Sequence, residues 1–295
     1  MVLVCKKLGG RIAVWLMLSL ALVDFWTVPI CFQFASVFGI MSAASIFLLL
    51  FYNKPWLKNN LPMFFFTVGA VTVYLDFLTA PIITVGIPLV LLLLLQKAQN
   101  NNGGIRTAGS HLWVLIKNGF AWFAGYVILW AGKWLITSLV LGRNEFVIAF
   151  RQVLMHSGVS DMGYHNQDEA VLQKANFIPP DDTRMDGLLA AVNNLLSLHE
   201  LLAAAFIVVI VLGVVLYLSK NARKSLVAAI PFIALALTAP IWLLVLGSHT
   251  IVHSFMTYRN LMVSAFAALV ALDIPLGRAI DEFKAGTLKL KKFKA

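Results

Sequence analysis

The sequence predicts an all-α membrane protein that crosses the bilayer about eight times. Of its 295 residues, 60% are hydrophobic and only 12% are charged, whereas a soluble domain is nearer half apolar and a quarter charged. Apolar runs of about 20 residues, which is the length that spans ~30 Å of hydrocarbon, recur along the whole chain. The runs lack the apolar–polar alternation of outer-membrane barrel strands, so helices are expected.

The hydrophobic runs define eight predicted spans. Their approximate bounds are 9–26, 33–52, 62–78, 80–96, 113–141, 200–219, 225–246 and 257–276. The fifth run is long enough to tilt or to extend beyond the bilayer. The basic start is followed by a long apolar run without a small-residue cleavage site, which favours a retained first span over a signal peptide.

The distribution of charge predicts that both chain ends are cytoplasmic. With the N-terminus inside, inner loops receive 17 of the 23 Lys and Arg residues, and ten of the 13 acidic residues fall outside. Short loops rich in Lys and Arg remain cytoplasmic. The predicted regions are spans one to five (1–141), an outer loop (142–199), spans six to eight (200–278) and a basic cytoplasmic tail (279–295) that lies against anionic lipid.

The charge, the cysteines and the absence of certain motifs limit the expected partners and chemistry. The net charge of +10 reflects membrane orientation, so membrane lipids and no nucleic acid are the expected partners. Cys5 and Cys31 fall near opposite ends of the first span, so no disulfide is expected. No nucleotide-binding or hydrolase motif occurs, and no cofactor is predicted.

The motif Asp-Phe-x-Thr-x-Pro-Ile occurs twice, at residues 24–30 and 76–82, which we call the first and second repeated turns. Each copy lies at a predicted outer helix end, where a carboxylate is costly because lipid cannot solvate it. One interpretation is a helix corner, since Pro stops a helix and Asp or Thr caps the next. The other is a catalytic or ion-binding role for Asp24 or Asp76.

A late polar segment, residues 248–259, precedes the last span on the same predicted outer side. His249 and His253 are four residues apart and would share a helix face, but no local third ligand supports a metal site. Arg259 offers a fork of donors suited to phosphate, and Tyr258 adds a hydroxyl. The alternative is that Tyr258 and Arg259 are interfacial anchors at headgroup level.

The outer loop is predicted to contain two helices. The apolar positions of residues 146–154 share one face, which is typical of an amphipathic helix on the membrane surface. Residues 157–184 are expected to be an irregular loop, and 185–199 a second helix. Lys133, inside the fifth run, either snorkels to the interface or pairs with Asp24 or Asp76.

The second repeated turn, the outer amphipathic segment and the late His-Ser-Phe-x-Thr-Tyr-Arg together resemble a group of poorly characterised bacterial membrane proteins. Those proteins are similar in organisation to the C-type membrane glycosyltransferases, which use polyprenyl-phosphate sugars at the outer face. The resemblance covers about residues 60–270. It implies a cell-membrane glycosyltransferase with Asp24 or Asp76 as catalytic residue and with His249, His253, Tyr258 and Arg259 binding the lipid-phosphate sugar.

The chain departs from that superfamily in its first outer turn, which is short and lacks an acidic pair. Asp24 is the one residue that matches the usual catalytic carboxylate by position. The chain is therefore expected either to be a shortened or partial member without a catalytic end, or to use Asp24 as the base. Two other functions stay open, namely a transporter or flippase of a lipid or anionic solute, and a non-catalytic scaffold subunit with a protein partner.

Overall fold

The computed structural model describes residues 1–76, 78–99, 105–157, 184–196, 214 and 220–285, and these segments form helices and turns without a strand. Five helical stretches are long and apolar enough to cross a membrane: Phe34–Phe51, Ile82–Gln99, Thr107–Leu141, Ser225–Val245 and Ser254–Lys284. Two shorter apolar helices, Gly10–Ala21 and Leu61–Leu75, accompany them. All seven overlap predicted spans, whereas the predicted sixth span, 200–219, lies outside the described residues except residue 214.

The helices of the described residues are numbered in chain order. They are α1 (Val2–Leu8), α2 (Gly10–Ala21), α3 (Phe32–Phe51), α4 (Pro55–Asn59), α5 (Leu61–Leu75), α6 (Ile82–Gln99), α7 (Ile105–Leu141), α8 (Phe146–Ser157), α9 (Arg184–Leu195), α10 (Lys220–Ala236), α11 (Thr238–Val245), α12 (Gly247–Val252), α13 (Ser254–Thr257) and α14 (Leu261–Lys284). Two 3₁₀ segments, Phe25–Ile30 and Tyr258–Asn260, complete the set.

Two helix bounds differ from the predicted spans for identifiable reasons. The helix of the first span ends at Ala21 rather than near residue 26, and Asp24 adopts a left-handed conformation (φ 52°) before the 3₁₀ segment. The fifth run belongs to a helix of 37 residues, or about 55 Å at 1.5 Å per residue. Polar residues before position 113 continue that helix beyond the hydrocarbon thickness.

Helix α6 forms the centre of the protein. Every residue from Ile82 to Leu95 is buried, because α3, α5, α7 and α14 all pack against this helix. A helix that is apolar on every side is expected at such a central position. The nearly continuous apolar sequence of α6 therefore reflects burial by protein as well as by lipid.

Glycines allow the backbones of α5 and α7 to come into direct contact. A Cβ at Gly69 would lie 2.0 Å from the carbonyl oxygen of Trp122, and a Cβ at Gly125 would lie 2.1 Å from that of Phe66. Small residues at such crossings are the usual means by which membrane helices associate closely. The helix pair carries one face of the core that supports the second repeated turn.

Polar side chains join the same helices inside the core. Thr72 of α5 and Thr84 of α6 are hydrogen-bonded through their hydroxyls at 2.9 Å, and the indole Nε1 of Trp122 in α7 donates to Thr84 Oγ1 at 3.1 Å. Each group thereby gains a partner where lipid offers none. The network holds α5, α6 and α7 in one register.

A second polar contact ties the ends of the chain together on the predicted inner side. Asp273, buried in α14, accepts a hydrogen bond from Trp15 Nε1 at 3.1 Å and pairs with Arg11 at 3.4 Å. Both partners lie on α2. This contact fixes the first long helix against the last one and so relates the first repeated turn to the late polar segment.

The α5–α7 crossing generates a test. Gly125→Ala should lower the free energy of unfolding by about 1–3 kcal/mol, because the added methyl group must displace the backbone of α5. Gly119→Ala in the same helix meets no atom within 4 Å and should be neutral or stabilising by up to about 1 kcal/mol. Thermal unfolding in detergent measures both, and equal melting temperatures for the two variants would refute the close crossing.

Candidate functional site

Both repeated turns contact the late polar segment. The first turn contacts Tyr258 and Arg259, and the second turn contacts His249 and the adjacent Asn260. Residues separated by more than 170 positions in the sequence therefore meet at one end of the bundle. The two turns thus share one partner segment.

In the second turn, the Asp76 carboxylate organises its own backbone. Its Oδ1 accepts hydrogen bonds from the Thr79 hydroxyl at 2.6 Å, from the Thr79 amide at 3.0 Å and from the Ala80 amide at 3.4 Å. Asp76 is 7% exposed, and its Oδ2 is buried without a partner in the described structure. This is the corner geometry, in which Asp76 links the end of α5 to the start of α6.

Asn260 holds the second turn against the start of α14. Its Oδ1 accepts from the Ile82 amide at 3.1 Å, while its Nδ2 donates to the carbonyls of Thr79 at 3.2 Å and Thr257 at 3.0 Å. Asn260 is fully buried, and all three bonds satisfy backbone groups that the turn leaves open. A single amide side chain thus sets the position of the residues just before it, Tyr258 and Arg259.

The first turn uses the same residue types differently. The Thr27 hydroxyl donates to the main-chain carbonyl of Asp24 at 2.7 Å instead of to its carboxylate. The Asp24 Oδ2 is therefore available to Tyr258, whose hydroxyl donates to it at 3.0 Å. Asp24 is half-buried, so its carboxylate lies at the edge of the site rather than inside a closed corner.

Arg259 brings a buried cation to the first turn. Its Nη1 donates to the carbonyl of Phe255 at 2.8 Å and its Nη2 donates to Thr27 Oγ1 at 3.1 Å, while its Nε is buried without a partner in the described structure. The guanidinium carbon lies 3.9 Å from the ring centre of Phe34 and 4.7 Å from that of Tyr258. The side chain is 5% exposed, and it has no carboxylate within 4.0 Å among the ion pairs of the described residues.

His249 and His253 meet a third imidazole from the predicted outer loop. The ring centres of His249 and His253 are 4.7 Å apart, and the ring of His156 in α8 lies 5.0 Å from that of His249. His249 Nε2 is 3.1 Å from the carbonyl oxygen of Leu78 in the second turn. Across the described segments, no group of His, Cys, Asp or Glu side chains is arranged to hold a metal ion.

Burial shifts the pKa of one imidazole in the site. Desolvation, followed by the neighbouring His156 and His253, lowers the pKa of His249 to about 4. At neutral pH the His249 imidazole is therefore uncharged.

The structure also describes the surroundings of Lys133 and the helices of the predicted outer loop. Lys133 Nζ donates to the carbonyl of Val73 at 3.0 Å, near the end of α5, and lies over the ring of Tyr74. Among the described residues it pairs with neither Asp24 nor Asp76. Helices are found at α8 and α9, close to the two predicted outer helices, while residues 158–183, which include most of the predicted loop, lie outside the described residues.

An apolar cavity of about 640 Å³ adjoins the first turn. It runs between α2 and α3, and α1 and α6 complete its walls. Trp26 and Pro29 of the first turn line it, and they flank Thr27, which holds the Arg259 guanidinium. Its volume lies within the range of about 300–1,000 Å³ typical of ligand pockets.

Four further residues shape the site, although none was among the predicted site residues. Asn260, Thr27, Thr79 and Phe34 act through contacts with distant segments. The two threonines could have been found, because they recur at the same place in the repeated motif. Asn260 and Phe34 are ordinary residues at helix starts, and only their partners distinguish them.

Comparison with protein-family models, with curated proteins and with solved structures finds no match to this chain.

Replacing Asn260 should destabilise the protein more than replacing the equally buried Asn118. Asn260→Ala leaves three backbone groups of two segments without partners, at about 1–3 kcal/mol for each buried group, and should lower the melting temperature strongly. Asn118→Ala provides the control, because Asn118 is equally buried but bonds through Nδ2 only to the carbonyl of Val114 in its own helix. Similar losses in both variants would contradict the bridging role of Asn260.

Proposed function

We propose that this chain is an integral cell-membrane protein of the glycosyltransferase type, which binds a lipid-phosphate sugar, such as a polyprenyl-phosphate sugar, at the outer face. It crosses the membrane eight times with both ends inside. The charge distribution supports this orientation, since basic residues concentrate in the loops assigned to the cytoplasm. In that orientation the two repeated turns and the late polar segment face outward.

The observation that carries the proposal is the buried guanidinium of Arg259. A buried charge is ordinarily paired, because desolvation without a partner is costly. Among the described residues Arg259 has no carboxylate within 4.0 Å and its Nε lacks an acceptor, while the Asp24 carboxylate acts on it at longer range. A phosphate supplies a further negative charge in direct contact and several acceptor oxygens, and a guanidinium fork suits its geometry.

The adjoining cavity supports a ligand with a hydrocarbon part. Its lining is almost wholly apolar, and it begins beside Thr27, which accepts a hydrogen bond from Arg259. A phosphate at the guanidinium would thus have its lipid chain directed between α2 and α3. This arrangement favours a lipid-linked phosphate over a free inorganic one.

The transfer step assigns distinct roles to the neighbouring side chains. The Asp24 carboxylate takes the proton of the acceptor hydroxyl, whose oxygen forms a bond to the anomeric carbon of the sugar. The bond between that carbon and the phosphate oxygen breaks, and its electron pair remains on the phosphate beside Arg259. Tyr258 orients Asp24 through its hydroxyl, and His253, half-buried near this segment, contributes to binding.

Binding of polyprenyl phosphate to the purified chain in nanodiscs tests the Arg259 assignment. Arg259→Gln should weaken binding at least about tenfold, which corresponds to about 1.4 kcal/mol, and Arg259→Lys should fall between it and the wild type because the charge is kept without the fork. Arg151→Gln, on the exposed face of α8, is the matched control and should bind like the wild type. Equal binding by Arg259→Gln and the wild type would refute the site.

Transfer from a polyprenyl-phosphate sugar tests the role of Asp24. Asp24→Asn should retain lipid binding but lose transfer by about 100-fold or more, the scale of a general base, while Asp76→Asn should retain both. If wild-type protein binds the lipid phosphate and moves it between leaflets without transfer, the alternative of a flippase is supported. Binding to a second membrane protein, with neither activity, would support a scaffold.

A further inference from the structure

We propose that His156, His249 and His253 form an acid-sensitive lock, which holds the outer helix α8 and the short helix α12 against the second repeated turn at neutral pH and releases them on acidification. This inference concerns regulation of the fold and stands independently of the proposed function. It rests on the packing of three imidazoles from two distant parts of the chain. Their rings are in successive contact, from His156 to His249 to His253.

His249 is the centre of the lock. Its Nε2 lies 3.1 Å from the Leu78 carbonyl oxygen, so at neutral pH this nitrogen carries the proton and donates it. Leu78 itself has a positive φ of 62°, a conformation that costs free energy in a non-glycine residue and needs support from its surroundings. The hydrogen bond from His249 supplies such support to the second turn.

The other ring nitrogen of His249 has no acceptor for a second proton. Its Nδ1 is buried without a partner in the described structure, and the residue is 8% exposed. A proton on Nδ1 would therefore be desolvated and would lie beside two further imidazoles. Burial and the neighbouring rings lower the pKa of His249, and burial also lowers the pKa of His156 and His253.

Charged groups on the surrounding elements do not offset this lowering of the imidazole pKa values. In α8 the remaining charges are Arg151, which is exposed, and the preceding Glu145, which pairs with Arg143. From α9, Arg184 packs against Gly247 beside the cluster and adds positive charge, and Asp186 of the same helix is engaged in an interaction of its own.

The remaining polar residues near the three imidazoles form their contacts with other groups. Tyr258 and Arg259 engage the first turn, and Asp76 directs its Oδ1 to its own backbone. Neither ion pair of the described residues, Arg11 with Asp273 or Arg143 with Glu145, involves the cluster.

The direction of the pH effect follows from the lowered pKa. The neutral cluster contributes its full stabilisation above the unfolded His pKa near 6.5. That stabilisation is lost as the pH falls from there towards about 4, where His249 in the folded state gains its proton. Repulsion among protonated imidazoles separates α8 from α12 and breaks the bond to Leu78.

Hydrogen–deuterium exchange on the full chain in nanodiscs tests the lock. After correction for the intrinsic pH dependence of exchange, the opening constants of peptides 78–84 and 146–157 should rise about 30-fold between pH 7.5 and pH 5.0, the factor expected from the His249 shift. His249→Gln keeps an N–H donor for Leu78 but cannot be protonated. The opening constants of this variant should therefore rise less than about threefold over the same pH range. His156→Gln, which leaves the Leu78 bond untouched, should give an intermediate rise.

His111→Gln is the matched control, because His111 is equally buried but lies in α7, and it should keep the full wild-type response. The lock is overturned if the wild type shows no acid response in these peptides, or if His249→Gln and His156→Gln respond as strongly as the wild type. Loss of the response in His111→Gln would also overturn it, since the effect would then be general. A response that appears only with added Zn²⁺ and vanishes with a chelator would assign the cluster to metal binding instead.

Discussion

A turn between two membrane helices leaves backbone amides and carbonyls that lipid cannot hydrogen-bond, and in this protein one short segment supplies partners for both repeated turns. Asn260 bonds to the amide of Ile82 and the carbonyl of Thr79, and His249 bonds to the carbonyl of Leu78. On the other side, Tyr258 and Arg259 bond to side chains of the first turn. The positions of the candidate site residues depend on these few contacts, since the same segment carries the buried cation and the tyrosine hydroxyl.

The two copies of one motif show how the same residues take different roles in different surroundings. In the second turn Thr79 donates its hydroxyl to the Asp76 carboxylate, and the pair closes a buried corner. In the first turn the hydroxyl of Thr27 bonds to a main-chain oxygen, so the carboxylate of Asp24 receives Tyr258 and the threonine oxygen receives Arg259. The Asp76 carboxylate accepts its hydrogen bonds from its own turn, whereas the Asp24 carboxylate accepts one from the late polar segment. The proposed chemistry is therefore assigned to Asp24.

Much of the fold follows from simple features of the chain. Length and hydropathy predicted the all-helical membrane class, and seven of the predicted spans correspond to apolar helices in the described residues. Prediction failed where tertiary packing decides an outcome. The early end of α2 at Ala21 was not predicted, whereas the length of the fifth run had already indicated a helix able to extend beyond the bilayer. The sequence of the completely buried helix α6 cannot be distinguished from that of any other apolar run.

For the candidate site, the sequence by itself determined which residue types are unusual. It singled out two carboxylates at helix ends and a late stretch with His, Tyr and Arg, because polar groups in an apolar chain are costly and therefore conspicuous. Only the tertiary structure decided which of them meet, which carboxylate is enclosed, and that His156 joins His249 and His253. The physical reason is that hydrogen bonds and burial depend on neighbours more than 170 residues away in the chain, and spacing along one sequence carries no information about them.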